Sequence, residues 1–346
     1  MRPIVIMLLK KSIYNLVLVL LCSQTLFAQQ RPQYTQYILN NYLLNPALSG
    51  IENYTDIKVG HRAQWVGLED APKTSFLSAH WNFGQDYLWK NPLSLPEKDD
   101  DPRGRSYTQT YTSSPAHHGM GVTVVSDKAG PISRFDAGVT YAYHLQTGGT
   151  TNLAVGIYAG LSKTTLDVSA VRFENNGDPV LGNILDSQFK PDIGLGLWFY
   201  GARFFAGASV QQILPMRLAF TNDANYDKGK TVPHFFVTSG YRIAIDDEIS
   251  SVPSVMLKKI HGVPISFDTN LKLDYKDKIW IGGSYRKSDS FSAMLGFSFK
   301  NFVNLTYAYD FTASALKTVS NGTHEIVLGF QLGNAYQVFS GGRTWR

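Results

Sequence analysis

The chain has 346 residues, 13% aromatic and only 17% charged, with 30 glycines and a formal net charge of +5. It holds no basic run of the kind that follows a nucleic-acid backbone, and its single cysteine, Cys22, rules out an internal disulfide framework. Beyond residue 28 no stretch could cross a bilayer as a helix, which needs ~20 apolar residues.

Residues 1–28 read as a secretory signal that is removed. Arg2, Lys10 and Lys11 supply positive charge, Ile13 to Leu21 forms the apolar core, and Ala28 is the small residue at the cleavage position, with Leu26 an unfavourable −3 residue. The alternative is an uncleaved anchor. Leu21 before Cys22 is not the small residue a lipidation motif requires. Cleavage removes three of the 32 basic residues and no acidic one, so the mature charge falls to +2. An exported, aromatic-rich chain of this kind is a soluble β protein or an outer-membrane barrel.

Residues 29–54 are expected to form a plug or hatch segment. In "RPQYTQYILNNYLLNPALSG", Tyr34, Tyr37, Ile38 and Tyr42 recur at three- and four-residue steps, one face of a short helix. Asn45-Pro46-Ala47 reads as a second helix start, since Asn caps free N–H groups and Pro loses nothing in a first turn. Gly50 closes that turn. The segment is expected to fold into or across the periplasmic mouth of a barrel. A disordered leader remnant and a partner-docking arm are the alternatives.

From residue 55 the pattern alternates. In "ISFDTNLKLDY", Ile265, Phe267, Leu271, Leu273 and Tyr275 share a face, opposite Ser266, Asp268, Asn270, Lys272 and Asp274. "FDAGVTYAYHL", "NLAVGIYAGLSK" and "FSAMLGFSFK" repeat it. Side chains alternate across a strand, so one face is apolar and the other small or polar. Ordinary strands run ~5–6 residues and membrane strands ~9–11; these match the second. The expected fold is an all-β, antiparallel transmembrane β-barrel of about 14 strands, closing over residues 55–346 with a short C-terminal tail. The strands fall at 55–65, 73–83, 117–126, 132–145, 151–165, 190–199, 202–213, 233–245, 249–258, 264–274, 277–287, 289–300, 302–311 and 323–333. An N-terminus inside the cell envelope puts the short links on the periplasmic side. The long polar link 84–116 is then a periplasmic excursion or hides a missed strand pair.

Motifs for chemistry are weak. His117 and His118 point to opposite strand faces and chelate poorly together. The acidic run Glu97, Asp99, Asp100 and Asp101 lacks the spacing of a calcium loop. His144 shares a face with Thr140, and His234 with Thr238, without a marked nucleophile. No catalytic residue, metal or cofactor is assigned. Asp136, Asp268, Lys272, Asp274 and Arg286 are expected to face the lumen, lining a pore, holding cargo or pairing across neighbouring strands. Trp65, Trp81 and Trp280 lie near strand ends and are expected to anchor the wall at the membrane interfaces.

"PQYTQYILNNYLLNPALSGIENY", "VGHRAQWVGLEDAPKTSFLSAHW", "HHGMGVTVVSDKAGPISRFDAGVTYAYHL", "IWIGGSYRKSDSFSAMLGF", "LTYAYDFTASAL" and "GTHEIVLGF" resemble the PorP/SprF family of the Bacteroidota type IX secretion system. The resemblance covers nearly all of the mature chain, and the "HHG" and "DKAGP" region looks more like the SprF group. It implies a non-enzymatic barrel in the outer membrane of a Gram-negative bacterium. The implied partners are outer-membrane lipids, a peptidoglycan-linked lipoprotein and ring proteins of the secretion and gliding machinery, or a large adhesin with a C-terminal sorting signal, and no nucleic acid. A diffusion channel or a hydrophobic-substrate transporter of the fatty-acid-transporter type is the alternative.

Overall fold

The computed structural model describes residues 40–83, 113–170, 187–216, 231–246, 248–276, 278–287, 289–299 and 302–333. The signal region, Tyr34, Tyr37, most of the 84–116 link and the C-terminal tail lie outside the described residues. The strands follow one another as β1 (Thr55–Ala63), β2 (Lys73–Phe83), β3 (His117–Ala129), β4 (Ile132–Gln146), β5 (Thr151–Leu166), β6 (Ser187–Gly201), β7 (Phe204–Gln211) and β8 (His234–Tyr241). Then come β9 (Ile243–Ala244), β10 (Ile249–Ile260), β11 (Ser266–Tyr275), β12 (Ile279–Arg286), β13 (Ser290–Phe299), β14 (Val303–Thr312) and β15 (Thr323–Leu332). The two residues of β9 continue β8 past Arg242 along the same edge of β10, so the wall has fourteen staves. Each expected strand is present, with ends shifted by at most three residues.

Every pairing is antiparallel between neighbours in sequence. The last strand returns to the first, from Thr55↔Leu332 to Ala63↔His324, and closes the ring. Closure leaves no edge to satisfy, which is what a strand structure in lipid requires. The alternation decides which face turns outward. Leu271, Ile281 and Leu295 are 48%, 59% and 54% exposed, while Asp268, Asn270, Lys272 and Asp274 are buried. A face that is apolar towards the outside and charged towards the inside is stable in hydrocarbon and not in water.

Trp280 departs from the expected girdle. Ile279 and Ile281 point outward, so strand parity turns Trp280 inward, where it is buried with Leu44, Val252 and Met294. Trp81 keeps an outward position near the end of β2, and Trp65 sits in the β1–β2 loop with a left-handed φ of 49°.

One end of the barrel carries the short connections 147–150, 202–203, 245–248 and 276–278. The other carries the longer 167–186, 212–233 and 313–322. The link 84–116 returns at the short-turn end, where Ser113 N–H donates to Gly149 O at 2.9 Å and Asn152 Nδ2 donates to Ser114 O at 2.7 Å.

Candidate functional site

Residues 40–51 lie inside the ring. They form two 3₁₀ turns, Asn41–Leu43 and Pro46–Leu48. Asn45 is extended, and its Oδ1 accepts the Ala47 N–H at 3.0 Å, with Pro46 at the first position of the turn. Its Nδ2 donates to Leu197 O at 2.9 Å and Ala208 O at 3.3 Å, which anchors the turn to β6 and β7. The Tyr42 hydroxyl bonds Thr140 Oγ1 on β4 at 2.7 Å. Gln211 Nε2 on β7 donates to Leu43 O and Leu44 O at 2.9 and 3.0 Å. Asn40 Nδ2 donates to Ser78 Oγ on β2 at 3.1 Å. On the opposite wall Leu44 packs with Phe236, Met256, Trp280 and Met294 of β8, β10, β12 and β13. The segment therefore touches both sides of the lumen.

Glycines let its backbone lie against the wall. A Cβ at Gly119 would overlap Ser49 O, one at Gly156 would overlap the Ala47 backbone, and one at Gly196 would overlap Asn45 Oδ1. Gly50 has φ +69° and sits between Trp81 O and the Gly119 Cα, a place for no other residue.

Three inward histidines hold the backbone at Ser49 and Gly50, two on the Ser49–Gly50 peptide and one on the Gly50 carbonyl. His144 Nε2–H donates to Ser49 O at 2.8 Å, while its Nδ1 accepts from the Tyr200 hydroxyl at 3.0 Å. Carbonyl oxygens only accept, so Nε2 of His144 carries a proton. Gly50 N–H donates to His80 Nδ1 at 3.3 Å. His117 places Nε2 3.2 Å from Gly50 O and Nδ1 2.9 Å from Pro115 O. A neutral ring can donate to only one of those two carbonyls at a time. His117 and His144 are cross-strand partners and stack at 4.3 Å with planes 5° apart. Among the described residues no group of three metal-ligating side chains is assembled to hold an ion.

The five lumen charges named from sequence are all buried on the inner face. Arg134 Nε donates to Asp136 at 2.9 Å, Arg286 Nε lies 3.0 Å from Asp268 across the β11–β12 pair, and Lys272 Nζ lies 2.9 Å from Asp274. Lys272 also stands 5.1 Å over the Trp280 ring. Sequence reading passed over a further set. Arg62 on β1 donates Nη2 to Asp310 of β14 at 2.8 Å and Nη1 to Glu325 of β15 at 2.9 Å. It also passed over the part of His80, His117 and His144 in holding the segment. Strand parity puts all three on the inner face, and that was the available signal. Beside the segment one cavity of about 50 Å³, bordered by Tyr42, Leu44, Asp136, Thr140 and Gln211, has room for a few waters.

A chain with a closed, lipid-facing ring matches the family described as "Type IX secretion system membrane protein PorP/SprF" over residues 26–330. It belongs to the PorP/SprF family. It is thus a membrane protein of a type IX secretion family, and its barrel is of the kind that lies in the outer membrane. Among curated proteins none matches. Three solved structures are similar. The toluene transporter TbuX of Ralstonia pickettii has TM-score 0.48 and 10% identity over 84% of this chain and 92% of its own. The toluene transporter TodX of P. putida has 0.47 and 9% over 83% and 92%. The outer membrane protein Omp33 of Acinetobacter baumannii has 0.44 and 9% over 82% and 100%.

Proposed function

We propose that this protein is a plugged, non-enzymatic barrel that serves type IX secretion and gliding by binding other proteins. The short-turn end faces the periplasm, as in other bacterial barrels, and residues 29–54 act as the plug. The observation that supports this reading is the segment 40–51, bonded to both walls and so standing in the path that a diffusion channel would use. On this reading the partners are a peptidoglycan-linked lipoprotein or ring proteins on the periplasmic side, or one large adhesin with a C-terminal sorting signal. The SprF-like role is export or anchoring of that adhesin in a bacterium of the Bacteroidota.

Affinity capture from outer membranes, with mass spectrometry, should return a secretion component or a very large surface protein. Deleting the gene should remove one large protein from the cell surface and leave uptake of small solutes normal. A mutant with an intact surface proteome and impaired uptake of a hydrophobic nutrient would instead favour a transporter.

A further inference from the structure

The outward positions of the strands carry no Asp or Glu. They carry four lysines: Lys73, Lys128, Lys163 and Lys259. Each lies within four residues of its strand's end at the rim away from the short turns. At the opposite rim the outward strand positions are aromatic or aliphatic, such as Phe83, Phe199 and Phe297, and the exposed Lys276 and Lys278 lie in the turn after β11, where Lys276 pairs with Glu248 at 2.8 Å. On the reading that the short-turn end faces the periplasm, the rim with the four lysines meets the outer leaflet.

Three of the lysines form one patch. Lys73 of β2 and Lys128 of β3 are direct cross-strand partners. Two like charges facing each other on an antiparallel pair repel. The row continues with hydroxyls and no carboxylate, Ser133 on β4 and Thr165 on β5. Asp167, a carboxylate held by the Ser169 N–H and hydroxyl, lies near enough to offset part of the Lys128 charge and leaves Lys73 facing it. One row further into the membrane, His61 and Ser75 are hydrogen-bonded at 2.9 Å, and Lys163 extends over the Phe189 ring at 5.3 Å. The next row, Val59, Leu77, Val124, Ala137 and Leu161, is apolar. Cations and hydroxyls thus stand as a shelf directly above a surface fit for acyl chains.

We propose that the β2–β5 rim binds the phosphorylated headgroup of an outer-leaflet glycolipid, with a phosphate between Lys73 and Lys128. The anion relieves the repulsion of the facing pair, Lys163 supplies a second contact, and the acyl chains lie along the apolar rows below. A lysine near an anionic headgroup adds about 1 kcal/mol of attraction, close to fivefold in affinity.

The test uses the full mature chain in phosphatidylcholine nanodiscs containing diphosphoryl lipid A, with native mass spectrometry counting bound lipid A. K73Q/K128Q should reduce retention about twenty-five-fold. K73R/K128R should retain it, and Lys259→Gln, outside the row, should leave it unchanged. If the double glutamine variant does not fold, K163Q alone decides by a fall of about fivefold. Unchanged retention in the glutamine variants, or an equal loss from Lys259→Gln, overturns the proposal. Displacement of the lipid by inorganic phosphate at matched concentration overturns it too, because the site would then serve free phosphate.

Discussion

Arg62 is among the costliest inward side chains, because its guanidinium is buried between two carboxylates from different strands. Charges in a low-dielectric lumen remain only if each is matched, and removing one partner costs more than the pair itself contributes. Arg62 sits on β1, and its acids sit on β14 and β15, so the three fasten the seam where the chain's first strand meets its last. Arg62→Met keeps the length of the side chain but takes away the guanidinium that Asp310 and Glu325 share. Its expected cost is about 3–5 kcal/mol, read as a lower urea midpoint for the barrel refolded in lipid. Sequence alone placed single charges such as Asp268 on the inner face but could not pair Arg62 with residues more than two hundred positions away. That pairing depends on which strands meet at the seam, and alternation within one strand holds no trace of it.

At the scale of the strand, parity is the main organiser. On β11, Leu271 faces lipid and Asn270 the lumen. An Arg on the lipid face near the midplane costs ~2–4 kcal/mol, so Leu271→Arg should impair refolding into bilayers by that amount. Asn270→Ser, which adds no charge to the inner face, should cost about 1 kcal/mol or less. Equal losses in a urea titration would mean that the register is wrong. The same parity explains what was legible. Ten-residue alternation marked each of the fourteen staves, because a wall with lipid on one side imposes the period directly. Trp280 was misjudged where position near a strand end was weighed above parity. The break at Arg242 was invisible because it depends on a bond from its N–H to Arg203 O in the neighbouring turn. The capping pattern at Asn45 could be read locally, but its bonds to the β6 and β7 carbonyls could not.

For the whole molecule the question is whether the N-terminal segment shuts the lumen. Its hold is distributed: Tyr42 and Ser49 on Thr140, Asn45 on two strands, three histidines on two successive peptides, and Leu44 in the apolar cluster opposite. A net hydrogen bond is worth about 1 kcal/mol, so the set together resists release while any single bond is expendable. Deleting Gln33 to Leu44 should therefore raise single-channel conductance in planar bilayers while the barrel still assembles. A covalent lock offers the converse. The chain's one cysteine, Cys22, lies in the segment expected to be removed as a signal, and Ser49 Oγ lies 2.7 Å from Thr140 Oγ1, so the two side chains meet closely enough to test a disulfide between them. S49C/T140C should cross-link on oxidation and hold conductance at its low value, with no change on reduction if the segment never leaves. If export of the partner protein requires the segment to move, the oxidised variant should lose surface display of that partner and regain it with a reductant. Low conductance in the deletion variant, together with failure of the cysteines to cross-link, would show that the segment does not occupy the lumen.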